Sequence, residues 1–413
     1  MPAASARVVV IGSGHAACQL AKSLVHGGYD GTVTLIGAEP GVPYSRPPLS
    51  KEYLAGSIPA SALDLCDPGF FEDGAVRLHH DRATVVDRDA RRVLTVGGEC
   101  LAYDHLVLAT GARSQRIPDV PVTAEGVVEL RTRADADGIR ARLPDTDHIT
   151  VLGAGFVGME FAAHAAVKGQ GVTVVDIGRR ALARGVTEHS AAILTEALRD
   201  AGVTFHFGEG IERLEHGGGA LRAVRTTSGR RIPTQMLVVA AGVVPNTELA
   251  SACGLVVNDG VVVDENLRTS DPRIHAIGDC ARFPYRRSGR LLRLESVQNA
   301  TDQAKCVANQ LLGHGAPYDA LAWFWTRQGP SSLQIAGVIP DDPSAHSAVH
   351  VLTDSRGRRT VFSFEQDRLV AVETFNAAAQ HLAARAALGS ARPITLRDVQ
   401  TEGFDLQAAA RHR

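Results

Sequence analysis

Three observations predict an α/β protein of two to three domains. The chain has 413 residues, well beyond the roughly 150 of one ordinary domain. Continuous apolar runs that end in glycine recur along it, as expected of strands buried on both faces of a parallel sheet. Glycine is frequent at 41 residues while aromatics make up only 5%, a balance that suits many tight strand-to-helix turns better than base-stacking surfaces.

The elements follow in order. Arg7–Ile11 reads as a strand, Gly12 to Ala17 as a glycine turn, Cys18 to Val25 as a helix and Val33–Ile36 as a second strand. Ala83 to Val96 reads as a β-meander, and Leu106 to Gly111 as another buried strand with a terminal glycine; Pro118 and Pro121 then mark a domain crossing. The opening grammar returns at His148–Leu152, Gly153 to Gly158, a helix through Lys168 and the strand Val172–Val175. Buried strands ending in glycine recur at 237–245 and 273–279. The segments 348–352, 360–364 and 369–373 form an antiparallel pattern, which predicts a separate C-terminal α+β domain. Two dinucleotide-type (Rossmann) units imply two nucleotide cofactors, or one cofactor and a decayed copy.

Composition excludes several functions. With 43 basic against 45 acidic residues, there is no electrostatic case for a nucleic-acid partner. No stretch reaches the roughly 18 to 20 apolar residues that span a bilayer, and the N-terminal residues lack a signal-peptide pattern. Cysteines at 18, 66, 100, 253, 280 and 306 are too scattered for a metal knuckle or a CxxC pair, and the 16 histidines show no ligand spacing, so no metal is expected. Together these features predict a cytoplasmic protein with reduced thiols and no membrane partner.

At a pyrophosphate a side chain would block the backbone amides, while the positive end of the following helix attracts the phosphates. Gly12, Gly14 and Ala17 fit this GxGxxG/A form, and Gly153, Gly155 and Gly158 complete it. The bland alternative is a pair of tight turns. An acid ending the next strand can accept ribose hydroxyls and disfavours a 2′-phosphate: Asp176, 23 positions after Gly153, predicts NADH, with NADPH less favoured, although Arg179 and Arg180 nearby soften that preference. Glu39, 27 positions after Gly12, is the counterpart; either acid could instead be a solvated strand end.

The blocks Tyr44-Ser-Arg-Pro-Pro-Leu-Ser-Lys51, Tyr103-Asp-His-Leu-Val-Leu-Ala-Thr-Gly-Ala-Arg113, Ile277-Gly-Asp-Cys280, Arg293-Leu-Glu-Ser-Val-Gln-Asn-Ala300 and Trp323-Phe-Trp325 occur in order. From about residue 7 to Asn376 the chain resembles the FAD-dependent NADH:ferredoxin reductases of the putidaredoxin, rubredoxin and aromatic-dioxygenase reductase type. The resemblance implies a glutathione-reductase-like fold, with FAD in a discontinuous domain (1–114 and 247–320), NADH in 115–246 and a C-terminal domain (321–413) covering the flavin. It implies FAD contacts from Gly12, Gly14, His15, Ala16, Ala17, Glu39, Arg46, Lys51, Ala83, Ala109, Thr110, Gly111, Arg131, Gly278, Asp279, Ser296, Val297 and Trp325. For NADH it implies Gly153, Gly155, Phe156, Val157, Gly158, Glu160, Asp176, Arg184, Ala241, Gly242 and Glu295.

Within this set Asp279 would accept from the ribityl chain, although alone it is equally a turn aspartate. Val297 and a helix beginning near Asn299 would face the flavin pyrimidine, where a helix N-terminus stabilises negative charge. Lys51 and Glu160 would pair beside flavin N5; without the resemblance Lys51 is equally a surface helix start. Hydride transfer needs no side-chain nucleophile, only stacking and exclusion of water. Disulfide reductases and single-thiol peroxidases of this fold carry a redox cysteine where this chain has Pro47-Pro-Leu-Ser-Lys51, which excludes that branch.

Trp325 would present an aromatic surface beside the flavin, while Trp323 is read as core packing. The family's usual continuation, Ser-Asp-Gln and a bulky residue, is here Thr326-Arg-Gln-Gly-Pro330. The predicted acceptor is a two-iron ferredoxin serving a mono- or dioxygenase, drawn by Arg282, Arg286, Arg287, Arg290 and Arg293. Two alternatives remain. One is a stand-alone NADH-dependent reductase or oxidase acting on oxygen or on a small organic acceptor, the latter in a pocket opened by Thr326, Gly329 and Pro330. The other is a redox-sensing flavoprotein resembling apoptosis-inducing factor. The oligomeric state stays open.

Overall fold

Val8, Val9, Val10 and Ile11 are apolar without alternation because neighbours cover both faces of their strand. Residues 6–72, 74–340 and 347–411 are described in a computed structural model, in which the chain divides into two units. The first comprises Met1–Ser45, Ala60–Arg113 and Val243–Ala320. Its parallel sheet runs in the order Ile274–Ala276, His105–Leu108, Arg7–Ile11, Thr32–Gly37, Val76–His80, with Val10 opposite Leu35 and Val107. The helices His15–His26 and Val297–Leu311 pack on each other. The expected meander is a three-stranded antiparallel sheet of Ala83–Asp87, Arg92–Thr95 and Cys100–Ala102.

The second unit comprises Arg46–Pro59, Ser114–Gly242 and Leu321–Arg413. Its parallel sheet has the order Thr204–Phe207, Gly171–Asp176, His148–Leu152, Met236–Val239, Val127–Glu129. Against it lies an antiparallel sheet of Ile211–Gly217, Ala220–Thr226 and Arg231–Pro233; Leu152, Val175, Leu221, Val224 and Leu237 share the core between them. The C-terminal region is a five-stranded antiparallel sheet, Trp323–Gln328, Ser331–Gly337, Arg368–Phe375, Arg359–Glu365, Ser347–Thr353. Helices Ala378–Gly389, Leu396–Gln400 and Leu406–Arg411 close its core around Phe362, Phe364 and Val372. The three strands expected there are present, and two more precede them.

Two polar features tie the C-terminal sheet to the rest of this unit. Glu373, fully buried, accepts hydrogen bonds from Thr187 N at 3.0 Å and Thr187 Oγ1 at 2.6 Å, and Thr187 caps the helix Glu188–Asp200. Burial pushes the Glu373 carboxyl upward in pKa against those bonds. Thr326 makes the second tie, to Glu160.

Candidate functional site

The two glycine turns share two steric requirements and differ in a third. Gly12 has φ +127° and Gly153 φ +111°, and a Cβ on either would stand 2.1 Å from Ala109 O or 2.3 Å from Ala240 O. The second glycines, Gly14 and Gly155, face open space and are N-caps whose helices receive no side-chain cap. Uncapped amides beside a vacancy left by a missing Cβ suit a pyrophosphate, so the residues fit the dinucleotides that the motif implies. A Cβ on Gly158 would meet Gly153 O at 2.0 Å, whereas the first turn accommodates a fully buried Ala17 at that place.

Around the first turn, His15 and Ala16 open the helix, and the site where a Cβ of Gly278 would lie is 3.2 Å from Ala16 Cβ. Gly278 N donates to Gln303 Oε1 at 2.7 Å, while Nε2 of this buried glutamine has no hydrogen-bond partner. Asp279 follows, its carbonyl accepting from Arg293 Nη1 at 3.3 Å. Thr110 Oγ1 donates to Asn246 O at 2.6 Å, and Asn246 returns bonds from Nδ2 to Thr110 O and from its backbone N to Gly111 O, both at 2.9 Å. Asn246 and Gln303 are residues that sequence reasoning missed. Glu39 lies just past the strand Thr32–Gly37 and accepts from the Tyr44 hydroxyl; Ala83 opens the meander. The helix expected near Asn299 starts at Val297, because Ser296 accepts from Asn299 N at 3.1 Å and caps it.

In the second unit the sequence-predicted pair comes together. Pro47–Ser50 forms a short 3-10 turn that delivers Lys51, whose Nζ lies 2.6 Å from Glu160 Oε2 with the lysine side chain only 15% exposed. That burial rules out a solvated helix start. Glu160, buried on the helix Phe156–Val167, also accepts from Ser50 Oγ at 2.6 Å and from Thr326 Oγ1 at 2.8 Å. Both carboxylate oxygens are therefore engaged, the condition under which a buried charge is tolerated. Ser50 and Thr326 were not anticipated as its partners. Arg46 Nη1 donates to Arg131 O at 2.7 Å, so two residues expected singly at the FAD are in contact with each other.

Asp176 ends its strand as expected, its two oxygens accepting from Ala154 N and Gly178 N at 2.6 Å each. These bonds aim the carboxylate and leave it lone pairs. Arg180 is committed to the carbonyls of Ala181, Ala183 and Val186 at 3.1 Å, so of the two nearby arginines it is Arg179 that is exposed. Arg184 Nη2 lies 3.1 Å from where a Cβ of Gly242 would be; Ala241 precedes that glycine. Phe156 packs edge-on to Phe324 at 4.8 Å, and Val157 is exposed. Glu295 is elsewhere, in the first unit, paired with Arg293 at 2.6 Å.

The strand Trp323–Gln328 corrects one expectation, and the arginine group of the first unit narrows another. Trp323 is not core: it is half-buried, 5.6 Å from the Trp325 ring and under the Arg385 guanidinium at 4.4 Å. Strand alternation puts Trp325, 40% exposed, on the face opposite Thr326. Gly329, at φ +57°, is the exposed tip of a hairpin with open space around it, a conformation that suits glycine in the turn. Within the arginine group, Arg293 is only 10% exposed and bridges Asp259 and Glu295, which leaves Arg286 and Arg290 as the exposed cations of the hairpin Ala281–Tyr285 and Arg290–Leu292.

Comparison with known proteins accounts for nearly the whole chain. The pyridine nucleotide-disulphide oxidoreductase family matches residues 6–304, and the reductase C-terminal family matches 323–410. Rhodocoxin reductase of Rhodococcus erythropolis is 42% identical over 98% of this chain and 95% of its own; putidaredoxin reductase of Pseudomonas putida is 35% identical over 90% and 89%. Among solved structures, the ferredoxin reductase for the CYP199A2 system of Rhodopseudomonas palustris aligns with TM-score 0.93 at 39% identity, over 98% of this chain and 99% of that one. The covalent putidaredoxin reductase–putidaredoxin complex aligns with TM-score 0.94 at 33% identity over all of both chains. With two glycine turns built for dinucleotides and a matching C-terminal region, the chain belongs to the pyridine nucleotide-disulphide oxidoreductase family, in its ferredoxin-reductase branch, and is an FAD-dependent oxidoreductase that uses NADH.

Proposed function

We propose that this chain passes electrons from NADH, through FAD, to a two-iron ferredoxin serving a mono- or dioxygenase in the cytoplasm. The observation that carries this reading is the similarity, over nearly full length, to reductases named for rhodocoxin and putidaredoxin, one of them solved in complex with putidaredoxin. FAD, when bound, takes a hydride from a nicotinamide and gives up electrons singly.

The residues are assigned accordingly. Residues 1–114 and 247–320 hold FAD through the Gly12 turn, Glu39, Thr110-Gly111, Gly278-Asp279 and the amides at Ser296-Val297. Residues 115–246 hold NADH through the Gly153 turn, Asp176, Arg184 and Ala241-Gly242. Lys51 supplies positive charge at the reacting edge of the flavin and favours its electron-rich form, and Glu160 holds Lys51 in place. Residues 321–413 cover the flavin and present Trp325 toward the acceptor. Arg286, Arg290 and Arg327 supply exposed positive charge for an acidic ferredoxin, although Arg327 is bridged to Glu52 at 3.2 Å.

Turnover with NADH tests this reading. A two-iron ferredoxin should be reduced much faster than oxygen or a small quinone, and the ferredoxin rate should fall with added salt while flavin reduction by NADH does not. Faster, salt-independent turnover with the quinone or with oxygen overturns it.

A further inference from the structure

We propose that Cys18 and Cys66 form a redox-modification site, two thiols that hydrogen peroxide converts to an intramolecular disulfide. Their Sγ atoms lie 3.0 Å apart, and both are unbridged and buried, at 2% and 4% exposure. That separation is only about 1 Å longer than a disulfide bond, so a small side-chain rotation closes it. Cys18 sits in the first turn of the helix His15–His26, its N bonded to Gly14 O at 3.0 Å. Cys66 sits in the short loop between the 3-10 turns Ala60–Leu63 and Pro68–Phe71, next to an exposed Asp67, so an oxidant the size of water has a short way in.

The surroundings give the two sulfurs different roles. Lys22, one helical turn after Cys18, donates to Leu65 O beside Cys66. The hydrogen bond from Cys18, reinforced by the Lys22 charge, lowers the Cys66 thiol pKa, while that of Cys18 is raised. Cys253, Cys280 and Cys306 are all raised by burial, so Cys66 is the sulfur whose surroundings favour the thiolate. Cys66 attacks one peroxide oxygen: an S–O bond forms, the O–O bond breaks, and the departing hydroxide takes a proton to become water. Cys18 then loses its proton and attacks the Cys66 sulfur; the S–S bond forms, the S–O bond breaks and a second water leaves. Two thiols are oxidised by two electrons, and peroxide is reduced to two waters. The bond ties the helix of the first glycine turn to a loop 48 residues later. This centre is separate from the position where disulfide reductases of the fold carry their cysteine, and it does not depend on which acceptor the enzyme serves.

Peptide mapping of the flavin-loaded protein after a small molar excess of hydrogen peroxide, with alkylation under denaturing conditions, is the test. Alkylatable thiols should fall from six to four, with one peptide pair joined through Cys18 and Cys66, and a thiol reductant should restore six. Cys18→Ser, checked for flavin content, should give no joined pair and leave Cys66 as a trappable sulfenic acid. Both thiols still alkylatable in the wild type, oxidation confined to the exposed Cys100, or Cys66 joined to another cysteine overturns the proposal, and the wild-type map decides this even if the variant fails to fold.

Discussion

The two glycine turns share a grammar and differ in what enforces it. At the third small position the second turn demands glycine, because a Cβ on Gly158 would enter Gly153 O, while the first turn packs Ala17 without a gap. Their acids differ as well: two backbone amides clamp Asp176 at the strand end, whereas Glu39 lies further on and is held by a tyrosine side chain. The difference teaches that a shared motif fixes where phosphate goes, while the surrounding strand decides how rigidly the ribose is read.

Valine substitutions at the second glycines should separate the turns most strongly. Both positions open into free space, so both variants should fold. Gly14→Val should purify without flavin, with loss of at least about 100-fold in NADH turnover, and Gly155→Val should stay yellow while its KM for NADH rises. Absorbance spectra and steady-state kinetics check this, and a fully flavinated Gly14→Val would refute the FAD assignment.

Acid should weaken both units by a similar mechanism. His275 in the first unit and His381 in the second are 2% exposed, and burial lowers both to about 4. A histidine depressed below its ordinary pKa of 6.5 stays neutral in the native state while the unfolded chain takes up the proton. Stability is therefore complete above pH 6.5 and is lost progressively down to about pH 4, by roughly 3 kcal/mol per histidine at the limit. Urea midpoints across that range should fall, and His275→Gln should flatten the curve.

Smaller effects should come from the third position and from the acid. Gly158→Ala should cost about 2–3 kcal/mol in urea unfolding through the clash with Gly153 O, against about 1 kcal/mol for Ala17→Gly. Asp176→Ala should narrow the preference for NADH over NADPH by about tenfold in kcat/KM, and Arg179→Ala should widen it, while the committed guanidinium makes Arg180→Ala an effect on stability instead. A wild type that prefers NADPH would show that the exposed Arg179 dominates the pocket.

Much of this architecture was legible because its signals are local. A buried strand, a glycine with left-handed φ and a helix lie within about 20 residues, so Val8–Ile11 and Ile149–Leu152 declare themselves in sequence. The strand Trp323–Gln328 went unread because polarity is inverted there: Thr326 and Gln328 face inward and Trp325 and Arg327 outward. Thr326 is buried by its bond to Glu160, across 166 residues, and no local pattern carries that. Asn246, bonded across 136 residues to Thr110, and Gln303, bonded to Gly278, were missed for the same reason. Lys51 and Glu160 could be paired only through the family resemblance, being 109 residues apart.

The Glu373–Thr187 latch sets an order on biosynthesis. Thr187 leaves the ribosome 186 residues before its carboxylate partner, a delay of roughly 10 to 40 s at about 5 to 20 residues per second. Throughout that interval the helix Glu188–Asp200 has its cap but not the acid that seats the cap. The unit that carries the second glycine turn is thus held short of its final state until the last sheet emerges, so a truncated transcript yields a protein missing more than that sheet.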